Sequence, residues 1–76
     1  MTKQERRQEI REAEKTLIRN ERIWEDLAEA LNSEEDKEER EVLESEIVQI
    51  VKTYEQLENH LSTLNFKFIS EFNEKP

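Results

Sequence analysis

Seventy-six residues allow one domain, and the chain has no Gly, no Cys and a single Pro at position 76. It therefore lacks the usual residues of tight β-turns, the thiols of disulfides and the ligands of a Cys-based metal site. Charged residues reach 42%, hydrophobic residues only 33%, and the formal charge is −8; this lies near the disordered regime, so ordered periodicity decides whether a fold exists.

The periodicity is present. Ile10, Leu17, Trp24 and Leu31 recur every seven residues, and Ala13, Asn20 and Leu27 follow three residues after the first three. This is the seam of an amphipathic helix with one polar position, predicted over residues 3–31. Ile23 and Ala30 widen the stripe, while Ile18 and Ala28 lie outside its centre. The segment Asn32-Ser33-Glu34-Glu35-Asp36 follows and reads as a turn over 32–36. Asn tolerates the left-handed conformation that ends helices, and Ser33 with Asp36 three residues on resembles a weak capping box.

A second seam runs through Leu43, Ile47, Ile50, Tyr54, Leu57, Leu61, Leu64 and Phe68 in alternating steps of four and three. It predicts a helix over 37–70 and then a short tail. The segment from Leu64 to Phe72 contains all three Phe residues; the alternation of Leu64, Phe66 and Phe68 also suits a strand, but the helical phase continues through it. The expected fold is all-α: an antiparallel, coiled-coil-like helical hairpin forming one domain. A reversal near residue 35 would set Leu27 against Leu43, Trp24 and Ile23 against Ile47, Asn20 against Ile50, Leu17 against Tyr54, Ala13 against Leu57 and Ile10 against Leu61. In that register Leu64 and Phe68 face Arg6 and Lys3. Leu64, Phe66, Phe68, Ile69 and Phe72 then outrun the apolar part of the first helix and form an apolar tail for self-association or partner docking.

One seam between two helices leaves their flanks wet, and chains of this size usually need a staple or an oligomer. A homodimer forming a four-helix bundle is expected, with Ile18, Val48, Val51 and Ile69 available for the second contact.

Charge is segregated along the chain. Residues 1–20 hold Lys3, Arg6, Arg7, Arg11, Lys15 and Arg19 against Glu5, Glu9, Glu12 and Glu14. Residues 21–46 hold twelve acids and only Arg22, Lys37 and Arg40. A hairpin gathers those acids at one end, and Glu25, Asp26, Glu29, Glu34, Glu35, Asp36, Glu38 and Glu39 are the candidate partner-binding set. Such a tip either solubilises the protein or steers it to a basic protein face, including one that normally holds nucleic acid. It lacks the Asp/Asn spacing and central Gly of a Ca²⁺ loop. Arg7, Arg11, Lys15 and Arg19 form a ridge that raises the opposite idea of phosphate binding, diluted by four acids and no interleaved aromatics.

No Ser-His-Asp, Cys-His or Gly-rich phosphate motif is present, and solvated carboxylates on a hairpin have no pocket to shift them. The expected function is therefore not catalysis, and no cofactor or metal is expected. It is protein binding by a small acidic regulator or inhibitor that masks its partner. A nucleic-acid-binding hairpin and a structural coiled-coil subunit are the alternatives. With no apolar run near the ~18 residues of a membrane span and no apolar stretch in MTKQERRQEIREAEK, a cytoplasmic setting without membrane contact is expected. His60 beside the second seam reads as solvated, Trp24 as a core filler, and Asn20 as either a hydrated weak spot or a register-setting residue.

Overall fold

The computed structural model describes all 76 residues and holds two long α-helices, α1 over Lys3–Ser33 and α2 over Lys37–Phe72. They pack antiparallel into a rod with extents of 53 × 16 × 14 Å. Both seams face each other and no strand forms, so the Phe-rich segment belongs to α2. α2 runs two residues further than expected, ending where Asn73 enters the left-handed region (φ 55°, ψ 35°) and donates its N–H to the Ile69 carbonyl at 2.8 Å. Asn tolerates that conformation, which satisfies one of the carbonyls a helix end leaves open.

Each helix start carries a cap. Thr2 accepts from the Glu5 N–H at 3.2 Å, and the Glu5 carboxylate accepts from the Thr2 N–H at 3.3 Å, closing a capping box. Hydrogen bonding from Thr2 to the Glu5 carboxylate, from its side chain first and its backbone N–H second, holds that carboxyl below its usual range. Asp36 caps α2, its carboxylate accepting from the N–H groups of Glu38 (2.8 Å) and Glu39 (3.4 Å). The expected cap, Ser33, is the last residue of α1, with its hydroxyl donating to the Glu29 carbonyl at 3.2 Å. Asp36 is as good a capping residue as Ser, and its charge adds a favourable interaction with the helix dipole. The connection thus shrinks to Glu34, Glu35 and Asp36. Asn32 stays helical, and the end of α1 is satisfied by Arg40, whose guanidinium donates to the carbonyls of Leu31 (3.0 Å) and Glu34 (2.9 Å).

The core sits toward the open end of the hairpin. Ile10, Ala13, Leu64 and Phe68 are buried together, with Leu61 and Phe72 packed against them. Phe68 is fully buried and touches Phe72 at 5.0 Å between ring centroids. This corrects the expected places of Leu64 and Phe68. Leu64 and Phe68 do not outrun α1; they are its best-buried partners. The cause is the lean of helical side chains toward their own N-terminus. On α1 that is toward the open end and on α2 toward the tip, so an α1 side chain also reaches residues rooted further along α2 than its backbone level, while Leu61, the partner expected for Ile10, packs against the same cluster. Burying Leu64 and Phe68 is worth about 1.5–3 kcal/mol each. The seam nearer the tip is only half-buried: Leu27, Leu31, Leu43 and Ile47 all retain partial exposure.

Candidate functional site: the acidic tip

Two helices and a three-residue link place the acids at one end of the rod. Glu25, Asp26 and Glu29 stand exposed on the last turns of α1, Glu35 on the link, and Glu38 and Glu39 on the first turn of α2. Two members of the expected set have local work. Asp36 is the α2 cap, and Glu34, half-buried, accepts from the N–H groups of Glu35 (3.1 Å) and Asp36 (3.0 Å), which shapes the link. The structure brings the eight residues to one end and leaves six of them with no such role.

Nothing neutralises them. Every ion pair of the molecule joins Lys3, Arg6, Arg7 or Lys15 to Glu9, Glu12, Glu71 or Glu74. None includes an acid from residues 21–46. Of the three bases in that stretch, Arg40 is committed to backbone carbonyls. Arg22 and Lys37 are exposed and form no ion pair. The tip is therefore a source of uncompensated negative potential, where exposed anionic side chains can meet cationic groups.

The opposite end is the reverse case. Arg6 is nine-tenths buried, with its guanidinium donating to Glu9 and Glu71 at 2.6 Å each. The bond to Glu71 first, then that to Glu9, raises its pKa above the ordinary guanidinium value. Its Nε has no partner. Lys3 pairs with Glu74, Arg7 reaches Glu74 at 3.5 Å, and the Arg7 guanidinium lies 5.5 Å from the centre of the Phe68 ring. These contacts turn the cations at the start of α1, unfavourable for its own dipole, into partners of acids at the end of α2. Ion pairing also occupies half of the ridge considered for phosphate. Of Arg7, Arg11, Lys15 and Arg19, the first and third are paired.

The apolar tail divides. Leu64 and Phe68 are core, and Phe72 is half-buried against it. Phe66, 71% exposed, and Ile69, 45% exposed, remain available to a partner. Ile18 and Val48 are exposed as well, and Val51 is half-buried.

At mid-height the Tyr54 hydroxyl donates to Glu21 at 2.8 Å, and its ring meets Trp24 edge-on at 5.7 Å. Trp24 is thus part of the seam. Asn20 is buried opposite α2, and its Oδ1 has no partner. His60 is exposed. The residues that sequence reasoning missed are the pairs across the seam, Arg6–Glu71 and Glu21–Tyr54. A register corrected for side-chain lean would have indicated both.

No helix is long and apolar enough to cross a membrane. No protein-family model, curated protein or solved structure matches the chain.

Proposed function

We propose that this hairpin is a protein-binding regulator that presents its acidic tip to a basic face of a partner protein and masks it. The observation that carries the reading is the segregation of ion pairing: every ion pair lies among residues 3–15 and 71–74, and no carboxylate of the tip has one. Uncompensated charge of one sign, concentrated at the end of a narrow rod, steers association with an oppositely charged surface. The same tip mimics the charge of a nucleic-acid backbone, so a groove that binds nucleic acid is a fitting target. Phosphate binding by α1 is the weaker reading, because four of the six bases in residues 1–20 already hold carboxylates. The setting proposed is the cytoplasm.

The unit that acts is a homodimer forming a four-helix bundle. Only six of 76 residues are buried in the single hairpin, which is a small core for an unstapled chain. Ile18, Val48 and Ile69 stay exposed and would be covered by a second copy.

Affinity capture tests the masking. A variant with Asp26→Asn, Glu35→Gln, Glu38→Gln and Glu39→Gln spares the caps. The native hairpin is expected to retain a protein with a basic face, to release it as salt rises, and to lose it in the variant. Retention of the same protein by the variant at the same salt would refute the tip as the binding element. Light scattering tests the dimer, which should double the 9.3 kDa chain mass.

A further inference from the structure

Residues Arg7, Arg11, Glu14, Ile18, Arg22, Glu25 and Glu29 form a single stripe on α1, in steps of four, three, four, four, three and four. At about 100° per residue they share one side of the helix, flanking the seam. The groove lined by Arg7, Arg11 and Glu14 with Asn65 and Ile69 of α2 lies on this face, as does the hollow lined by Glu25, Ala28 and Tyr54. The spacing reads the same in both directions from Ile18, and the charges reverse. Arg7 mirrors Glu29, Arg11 mirrors Glu25, and Glu14 mirrors Arg22. All but Arg7 are exposed and free of ion pairs within the chain, and Ile18 at the centre is 51% exposed.

We propose that this stripe is the dimer contact: a second copy packs α1 against α1 in antiparallel sense, with the two-fold axis at Ile18. This deepens the dimer reading and rests on it. A two-fold axis at that point brings Arg11 to Glu25 of the second copy, Arg7 to Glu29 and Glu14 to Arg22, each pair occurring twice. Ile18 packs on its own copy. The antiparallel sense also sends the two acidic tips to opposite ends, leaving Asp26, Glu35, Glu38 and Glu39 open to a partner. A parallel dimer on the same face would set each charge of the stripe against itself and join both tips, a like-charge arrangement that costs several kcal/mol. The stripe from Arg7 to Glu29 runs about 33 Å along α1, long enough for all three charge pairs on each side of the axis.

Charge exchange tests the register. Arg11→Glu and Glu25→Arg each place like charges at two symmetry-related points and should weaken self-association at least about tenfold. Mixing the two variants should restore dimers, all of them heterodimers, and the double variant should dimerise like the native chain. An independent readout uses the absence of native Cys. Ile18→Cys should oxidise to a covalent dimer, whereas Arg11→Cys should not cross-link to itself. A native dimer in which neither single exchange weakens association, or in which mixing fails to rescue it, overturns the register while leaving the dimer intact. Self-cross-linking of Arg11→Cys would point to the parallel arrangement and overturn it too. A native chain that stays at 9.3 kDa at all concentrations overturns the dimer reading itself.

Discussion

Tyr54 spans the two helices to donate its phenolic proton to Glu21 at 2.8 Å, beside the Trp24 ring. It is the one Tyr in the chain, and Trp24 the one Trp. The hydrogen bond to Glu21, with desolvation and the nearby carboxylate charge, pushes the phenol up to about 12 from an ordinary 10. The folded state thus favours the protonated phenol. Its contribution to stability is complete below pH 10 and is lost as pH rises through about 12. Titration of tyrosinate absorbance should therefore show a midpoint well above 10, and Glu21→Gln should bring it down. A native midpoint at 10 would contradict the contact.

Phe68 and Phe66 are two residues apart and opposite in consequence. Phe68→Ala empties the best-buried position and should cost about 3–5 kcal/mol, enough to unfold a small hairpin. Phe66→Ala should leave the thermal transition of the helices within about 0.5 kcal/mol, because the side chain is 71% exposed. Circular dichroism melts distinguish them. Equal effects would mean that the register puts α2 elsewhere on α1.

The α2 cap gives a similar contrast. Asp36→Ala removes the acceptor for two N–H groups and should cost about 1 kcal/mol. Ser33→Ala removes a hydroxyl that only bonds back to Glu29 and should cost little. A larger loss from Ser33→Ala in denaturant titration would place the helix start at Ser33 instead.

Asn20 is the orphan of the seam. Replacing it with Leu removes a buried carbonyl oxygen that has no donor. The change should stabilise the hairpin by about 1 kcal/mol, raising Tm by roughly 4–8 °C. A lower Tm would show that the amide is satisfied and needed.

Several features of this protein follow from local rules that the chain obeys residue by residue. Two helices, their seams, and the absence of strands follow from a heptad phase that holds from Leu43 to Phe68 and, with one Asn, from Ile10 to Leu31. The gathering of acids at one end follows from the hairpin alone, since a turn near residue 35 folds 21–46 back on itself. The tertiary structure decided the partners across the seam. Leu64 and Phe68 looked surplus when residues were matched by backbone level, yet they are core, because side chains on antiparallel helices lean in opposite directions and reach past their own backbone level. That lean brought Arg6 to Glu71 and Tyr54 to Glu21. It also decided which charges are left over: cations at the start of α1 find carboxylates from residues 71 and 74, while no tip acid forms an ion pair. A sequence carries the sign and spacing of charges, but which of them cancel depends on distances set by packing.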